Sequence, residues 1–293
     1  MDELLRRRLI EAQRNEITEC EVYRRLSQRQ GDPHNRDVLR RIGDEEQRHY
    51  HFLAQHTGTT PPPRRLTVWK FDFIARLLGV TFAIKLMEAG EKNAGGNYAA
   101  AAADIPGLAE MAAQENEHEH ALTQMIDEER LHYVGSMVLG LSDALVELLG
   151  ALAGLTLALR ESRLIAVVGL ITGIAAALSM AASEYLSTRH DSRITDKTSK
   201  SPGRAALYTG LTYIVTVAAL IAPFLLLSPP MLALAIAVAS AMIIIAVFMY
   251  YVSVVQEIAF APRFAEMAGL SLGVAAASFG IGYVVRLTLG VDS

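Results

Sequence analysis

Two Glu-x-x-His pairs, Glu46/His49 and Glu115/His118, recur in the first part of this 293-residue chain, accompanied by Glu16 and Glu91 on segments of helical periodicity. Residues three apart on a helix point the same way, so each pair presents a carboxylate oxygen and an imidazole nitrogen to one metal ion. Two such pairs, plus one glutamate from each of two further helices, make the ligand set of a carboxylate-rich dimetal site inside a four-helix bundle. Four carboxylates and two neutral imidazoles suit iron or manganese, whereas a structural zinc site more often recruits thiolates. A second group lies further along: Asp143 and Glu147 are four apart in one strongly apolar segment, and Met180 and Glu184 are four apart in the next. Three carboxylates and a thioether form a mixed hard and soft set that can hold a transition metal transiently and exchange protons for a cation.

The elements that must position the first group are legible as a repeat. A shift of 69 residues lays Leu39, Ile42, Glu46, His49 and Leu53 on Leu108, Met111, Glu115, His118 and Leu122. A shift of 75 lays Leu9, Glu16 and Tyr23 on Ile84, Glu91 and Tyr98. Helices are expected over about 2–30, 35–56, 80–102 and 106–130, separated by Gly31-Asp32-Pro33, the turn and linker Thr57–Pro63, and Pro106. One Glu-x-x-His alone is weak evidence, because both residues are common on solvated helix faces. Two copies in repeat register, each inside an apolar stripe and matched by a glutamate on another helix, favour a metal site.

Neighbouring residues compete for the same role. Glu117/His120 is another Glu-x-x-His, but it is two residues out of phase and roughly 200° around the helix, so it is expected to face away with His51. Glu19 and Glu88 are further candidate ligands; the repeat partner of Glu88 is Gln13. Cys20, Tyr23 and Tyr98 read as core residues. The stretch from Arg64 to Leu78 mixes Arg64, Arg65, Lys70 and Arg76 with Trp69, Phe71 and Phe73. It reads equally as a helix lying at a membrane surface and as the crossover helix of a bundle.

Composition divides the chain. Residues 1–132 hold 22 of the 31 acids, 18 of the 27 bases and 7 of the 8 histidines. The remainder consists of five apolar segments at about 133–159, 164–187, 205–228, 231–256 and 264–289, each long enough to cross hydrocarbon. The expected fold is therefore all-α, with a bundle at 1–130 followed by a five-span membrane domain at 131–293. Acids within spans cost roughly 2.5–3.5 kcal/mol each, which makes Asp143, Glu147 and Glu184 functional candidates. Glu184 also reads as an interfacial residue. Gly150/Gly154, Gly169/Gly173 and Gly269/Gly273 have the four-residue spacing that permits close helix contact.

The loop from Arg189 to Arg204 carries five bases, and the first residues lack the apolar core of a signal peptide. Both observations put the N-terminal domain in the cytoplasm and the C-terminus outside. A single cysteine excludes an intrachain disulfide and a four-cysteine iron centre. No basic stripe argues for nucleic acid.

Several of these motifs resemble known families. The run Glu16-Ile17-Thr18-Glu19-Cys20-Glu21-Val22-Tyr23, the pair in Glu46-Gln47-Arg48-His49, the Gly90-Glu91 step and Glu115-Asn116-Glu117-His118 resemble the rubrerythrin branch of the ferritin-like family. Where that family usually has another glutamate three after its third-helix ligand, this chain has Ala94. Gly140-Leu141-Ser142-Asp143-Ala144-Leu145, with Ala153-Gly154-Leu155, resembles the first span of the vacuolar iron transporter family. Ser179-Met180-Ala181-Ala182-Ser183-Glu184-Tyr185 resembles the end of its second span, and five spans is that family's count. Glu147 stands where the family has an apolar residue.

The whole chain resembles the bacterial membrane-bound ferritin, or erythrin-vacuolar iron transport, family. That resemblance implies a homodimer in the bacterial cytoplasmic membrane that exports Fe2+ in exchange for protons. Asp143 and Met180 would be translocation residues, with Glu184 near the entrance and a dinuclear Fe or Mn site in the N-terminal domain. Rival expectations are Mn2+ as cargo, and a membrane-anchored ferroxidase or peroxide-consuming enzyme whose spans are only an anchor.

Overall fold

The computed structural model describes residues 3–94, 105, 107–124, 132–194 and 200–289, and these contain helices and no strand. The chain divides into two compact units, Met1–Glu128 and Glu129–Ser293.

In the first unit, α1 spans Glu3–Ser27 and α2 spans Pro33–Thr57. Helix α1 stops three residues short of the expected end, where the Ser27 hydroxyl donates to the Arg24 carbonyl at 2.8 Å. Asp32 caps α2 by accepting from the Asn35 amide at 2.9 Å, with Pro33 pre-set for the first turn. Gly58, at φ 66°, closes the other end in the left-handed conformation. Helix α3, Arg65–Leu78, and helix α4, Val80–Ala94, meet at Gly79, whose φ of 104° allows the chain to turn between them. Helix α5 is Leu108–Gln124. Helices α1 and α2 pack along their lengths, α3 lies against α1 and α4, and α5 lies against α2. The expected helical stretches at 95–102 and 125–130, and Tyr98, lie outside the described residues.

The repeat-related apolar residues do the same work in both halves. Leu39, Ile42 and Leu53 are buried, as are their mates Leu108, Met111 and Leu122. Truncating a fully buried leucine such as Leu39 or Leu108 to alanine should cost about 2–5 kcal/mol, because the cavity collapses only partly.

In the second unit the first span is not one regular helix. Helix α6, Val134–Asp143, runs into a π turn at Ala144–Leu148 and resumes as α7, Leu149–Leu159. Then follow α8, Ser162–Ile194, α9, Pro202–Leu226, α10, Pro230–Gln256, and α11, Phe260–Leu289. Among the described residues, five helical stretches, the first made of α6, the π turn and α7, are long and apolar enough to cross a membrane. Their core is built by Leu145, Leu149, Leu152, Tyr213, Leu220 and Phe224 among others. Their outer faces leave Ile171, Leu178, Val215, Ile243 and Ile281 exposed, a surface that suits hydrocarbon rather than water.

Glycine lets two pairs of these helices touch backbone to backbone. A Cβ on Gly140 would strike the Thr209 carbonyl of α9, and one on Gly282 of α11 would strike that of Gly154 in α7. Gly150 and Gly154 of the first Gly-x-x-x-Gly face α11, and Gly169 and Gly173 face Leu152, Val217 and Ile221. Gly269 and Gly273 have open space within 4 Å. The third spacing therefore brings no described helix close.

Candidate metal centre

Glu16 on α1, Glu46 and His49 on α2 and Glu115 on α5 each offer a ligand atom, and these four atoms lie within 4.8 Å of one another. All except half-buried Glu115 are buried. His49 Nδ1 stands 3.3 Å from Glu16 Oε2, 3.4 Å from Glu46 Oε2 and 3.1 Å from Glu115 Oε1. The second imidazole joins from the other side: His118 Nδ1 is 3.1 Å from Glu46 Oε1 and 3.8 Å from Glu115 Oε2. Glu46 and Glu115 thus each turn one oxygen to His49 and the other to His118. Glu16, Glu46, His49 and Glu115 could therefore hold a cation, and His118 stands beside the same two carboxylates.

The donor atoms fit a metal better than they fit each other. Among the described residues, Glu46 Oε2, His49 Nδ1 and His118 Nδ1 are buried and make no hydrogen bond, a costly state for atoms that water cannot reach. The far nitrogens, by contrast, are engaged. His49 Nε2 is 2.8 Å from Gln114 Oε1, and His118 Nε2 is 2.5 Å from Glu45 Oε2. A ligating histidine is normally held in this way, its other nitrogen tied to an oxygen so that ring and tautomer are set.

Packing this many ionisable groups together moves protons. Burial, helped by the Glu46 charge, raises Glu16 well above the usual carboxylate range. Burial would raise Glu46 too, but His118 and His49 outweigh it and hold it down at about 2. Burial would lower both imidazoles; the Glu115 carboxylate, joined by Glu16 and Glu46 at His49 and by Glu46 at His118, pushes them up to about 12 and about 10.

The remaining expectations divide. Glu117 is exposed while His118 is buried, which agrees with the helix phase taken from the repeat, and His51 is exposed. The side chains of Glu91 and His120 lie outside the described residues. Glu19 and Glu88 are half-buried and do not belong to the four-residue cluster. Gln13 is buried for a different reason. Its Nε2 donates to the Thr59 carbonyl at 2.9 Å, and its Oε1 accepts from the Thr57 hydroxyl at 2.7 Å, so it secures the linker after α2. Glu45 and Gln114 were missed by sequence reading, although the 69-residue shift lays one on the other and could have marked them as a pair.

In the second unit, Asp143 closes α6 and Glu147 lies in the π turn, near enough for each carboxyl to act on the other. Glu147 is exposed and lines a cavity of about 460 Å³ shared with Gly150, Thr172, Tyr213, Ser278 and Gly282. The Tyr213 hydroxyl, buried and without a hydrogen-bond partner among the described residues, is within electrostatic reach of both carboxyls and was also missed. Glu184 on α8 accepts from the Ser136 hydroxyl of α6 at 2.6 Å, and Thr209 of α9 donates to the Ser136 carbonyl at 3.0 Å. Met180 packs at the edge of the apolar core. π turns cluster at functional sites because the widened turn re-aims side chains, and this one carries Glu147.

No curated protein and no solved structure matches the chain. The VIT family model matches residues 134–200, from the start of α6 to just beyond α8, and so takes in Asp143, Glu147, Met180 and Glu184.

Proposed function

We propose that this chain is a metal exporter of the bacterial cytoplasmic membrane. Residues 1–130 act as a ferritin-like, rubrerythrin-type dimetal domain, and residues 131–293 as a five-span translocation domain of vacuolar iron transporter type. The cargo is Fe2+, with Mn2+ able to use the same ligands; the counter-ion is the proton, and the working unit is a homodimer. The observation that carries this reading is the paired use of Glu46 and Glu115, whose opposite oxygens face His49 and His118, in a chain whose first two spans match the VIT family.

Glu16, Glu46, His49, Glu115 and His118, with Glu91, would hold the ion pair. Iron bound there supplies one-electron redox chemistry, which makes a ferroxidase step available. The chain's own part is to hold Nδ1 of each histidine toward the ions through Gln114 and Glu45, to exclude water by burial, and to give up protons as cations enter. In the membrane unit Glu184, Met180, Asp143 and Glu147 offer successive oxygen and sulfur ligands, and the carboxyls exchange a proton for each cation they release.

Metal movement into proteoliposomes with and without an imposed pH gradient tests the reading. Fe2+ or Mn2+ flux that depends on the gradient supports it. Rapid oxidation of Fe2+ with no flux would make the spans an anchor and the chain a membrane-bound enzyme.

A further inference from the structure

Helix α3 is not absorbed by either metal site. Its inner face, Val68, Phe71, Asp72 and Ala75, is buried. Its outer face is apolar: Leu66 is 84% exposed, Trp69 62%, Phe73 51% and Leu77 63%. At 100° per residue these four fall within an arc of about 80°. Trp69 and Phe73 stack with ring centroids 5.5 Å apart, so the stripe is continuous. Lys70 borders the stripe on one side and Arg65 and Arg76 on the other, and all three are exposed. The only acid of the helix, Asp72, is turned inward and paired with Arg29 at 2.7 Å and Arg76 at 3.2 Å.

We infer that α3 is a membrane-surface element, which sinks Leu66, Trp69, Phe73 and Leu77 into the interfacial region of an anionic bilayer while Arg65, Lys70 and Arg76 reach its headgroups. An apolar stripe with an indole at its centre and bases at its rim is the pattern of helices that lie in the plane of a bilayer. Each base near an anionic surface strengthens association about fivefold. Lipid suits this face better than a second copy of the chain. A self-complementary contact would set Arg65, Lys70 and Arg76 against their own kind, with no exposed acid of α3 to meet them. Five membrane-crossing helices in the same chain keep a bilayer at high local concentration. The inference goes beyond the transport reading and needs only the membrane spans, so flux and docking can fail separately.

Trp69 is the only tryptophan, which makes it an internal probe in the full-length protein. The protein is reconstituted into phosphatidylcholine vesicles with and without phosphatidylglycerol, and Trp69 emission is recorded with lipids brominated near the headgroup end of the acyl chain and with aqueous iodide. The expected result with phosphatidylglycerol is blue-shifted emission, strong quenching by bromolipid and little by iodide. Bromolipid quenching should fall and iodide quenching rise several-fold in Arg65→Glu/Lys70→Glu, in Leu66→Ser/Leu77→Ser and when phosphatidylglycerol is omitted. Iodide quenching without bromolipid quenching overturns the inference, as does equal bromolipid quenching in the two lipid mixtures. Protection from both quenchers also overturns it and assigns the stripe to a protein contact. The lipid comparison uses unmodified protein, so it stands even if a variant fails to fold.

Discussion

His118 Nε2 lies 2.5 Å from Glu45 Oε2, and its repeat mate His49 Nε2 lies 2.8 Å from Gln114 Oε1, the residue that the 69-residue shift lays on Glu45. Each histidine is therefore oriented by the helix that carries the other. The two supports are not alike, since a carboxylate raises imidazole basicity more than a carboxamide does. Glu45→Ala in the full-length protein should weaken metal binding about 10- to 100-fold with unchanged stoichiometry, as loss of an outer partner does. Titration with Mn2+ in detergent distinguishes this from Glu46→Ala, which should lower the number of ions bound.

Helix phase yields a second expectation. The full-length protein should bind two ions in its first unit, and Glu115→Ala or His118→Ala should reduce that number. Glu117→Ala, at an exposed position two residues away, should leave it unchanged. The opposite pattern would mean that α5 is turned about its axis.

Proton release is the third. Histidine in the unfolded chain titrates near 6.5, whereas His49 and His118 are pushed up to about 12 and about 10. Their contribution to stability is complete below about 6.5 and is lost as pH rises through about 10 and about 12. Glu46, held at about 2 against an unfolded value of 4.5, contributes above 4.5 and loses its contribution as pH falls through about 2. Metal requires neutral imidazoles, so binding should tighten as pH rises and release about two imidazole protons per loaded site near pH 7. Calorimetry in buffers of different ionisation enthalpy counts them. Binding without proton release would show that the two rings are not ligands.

Capture and translocation should come apart in mutants. Asp143→Ala should abolish flux into proteoliposomes while metal binding by the first unit persists, and Glu91→Ala should do the reverse, slowing flux most at low metal. Tyr213→Phe removes a buried hydroxyl within electrostatic reach of Asp143 and Glu147 and should slow flux without changing the fold. Normal transport by Asp143→Ala would move the path elsewhere.

Orientation rests on charge bias and is open to labelling. In a Cys20→Ser background, Lys200→Cys should resist an impermeant thiol reagent added to intact cells, while Ser293→Cys should react. The inverse result would turn the exporter into an importer.

The sequence alone determined the elements and the partners within each. A 69-residue repeat with Glu-x-x-His in phase with buried leucines could arise only from helices sharing one core, because periodicity is a property of the local backbone. Long apolar segments likewise declared the spans, since length and composition suffice. Which oxygen of Glu46 meets which histidine, and that Glu45 and Gln114 hold the far nitrogens, depended on how α2 and α5 face each other. No spacing along one chain encodes that. The same holds for Ser136 against Glu184 and for Tyr213, whose significance lies in neighbours 48 residues away in one case and on another helix in the other. The π turn at Ala144–Leu148 also escaped sequence reading, because Leu, Val and Ala suit an α-helix equally and the widened turn is settled by packing. For α3 the sequence permitted two roles; the tertiary structure buries one of its faces in the first unit and leaves the other apolar and uncovered within that unit.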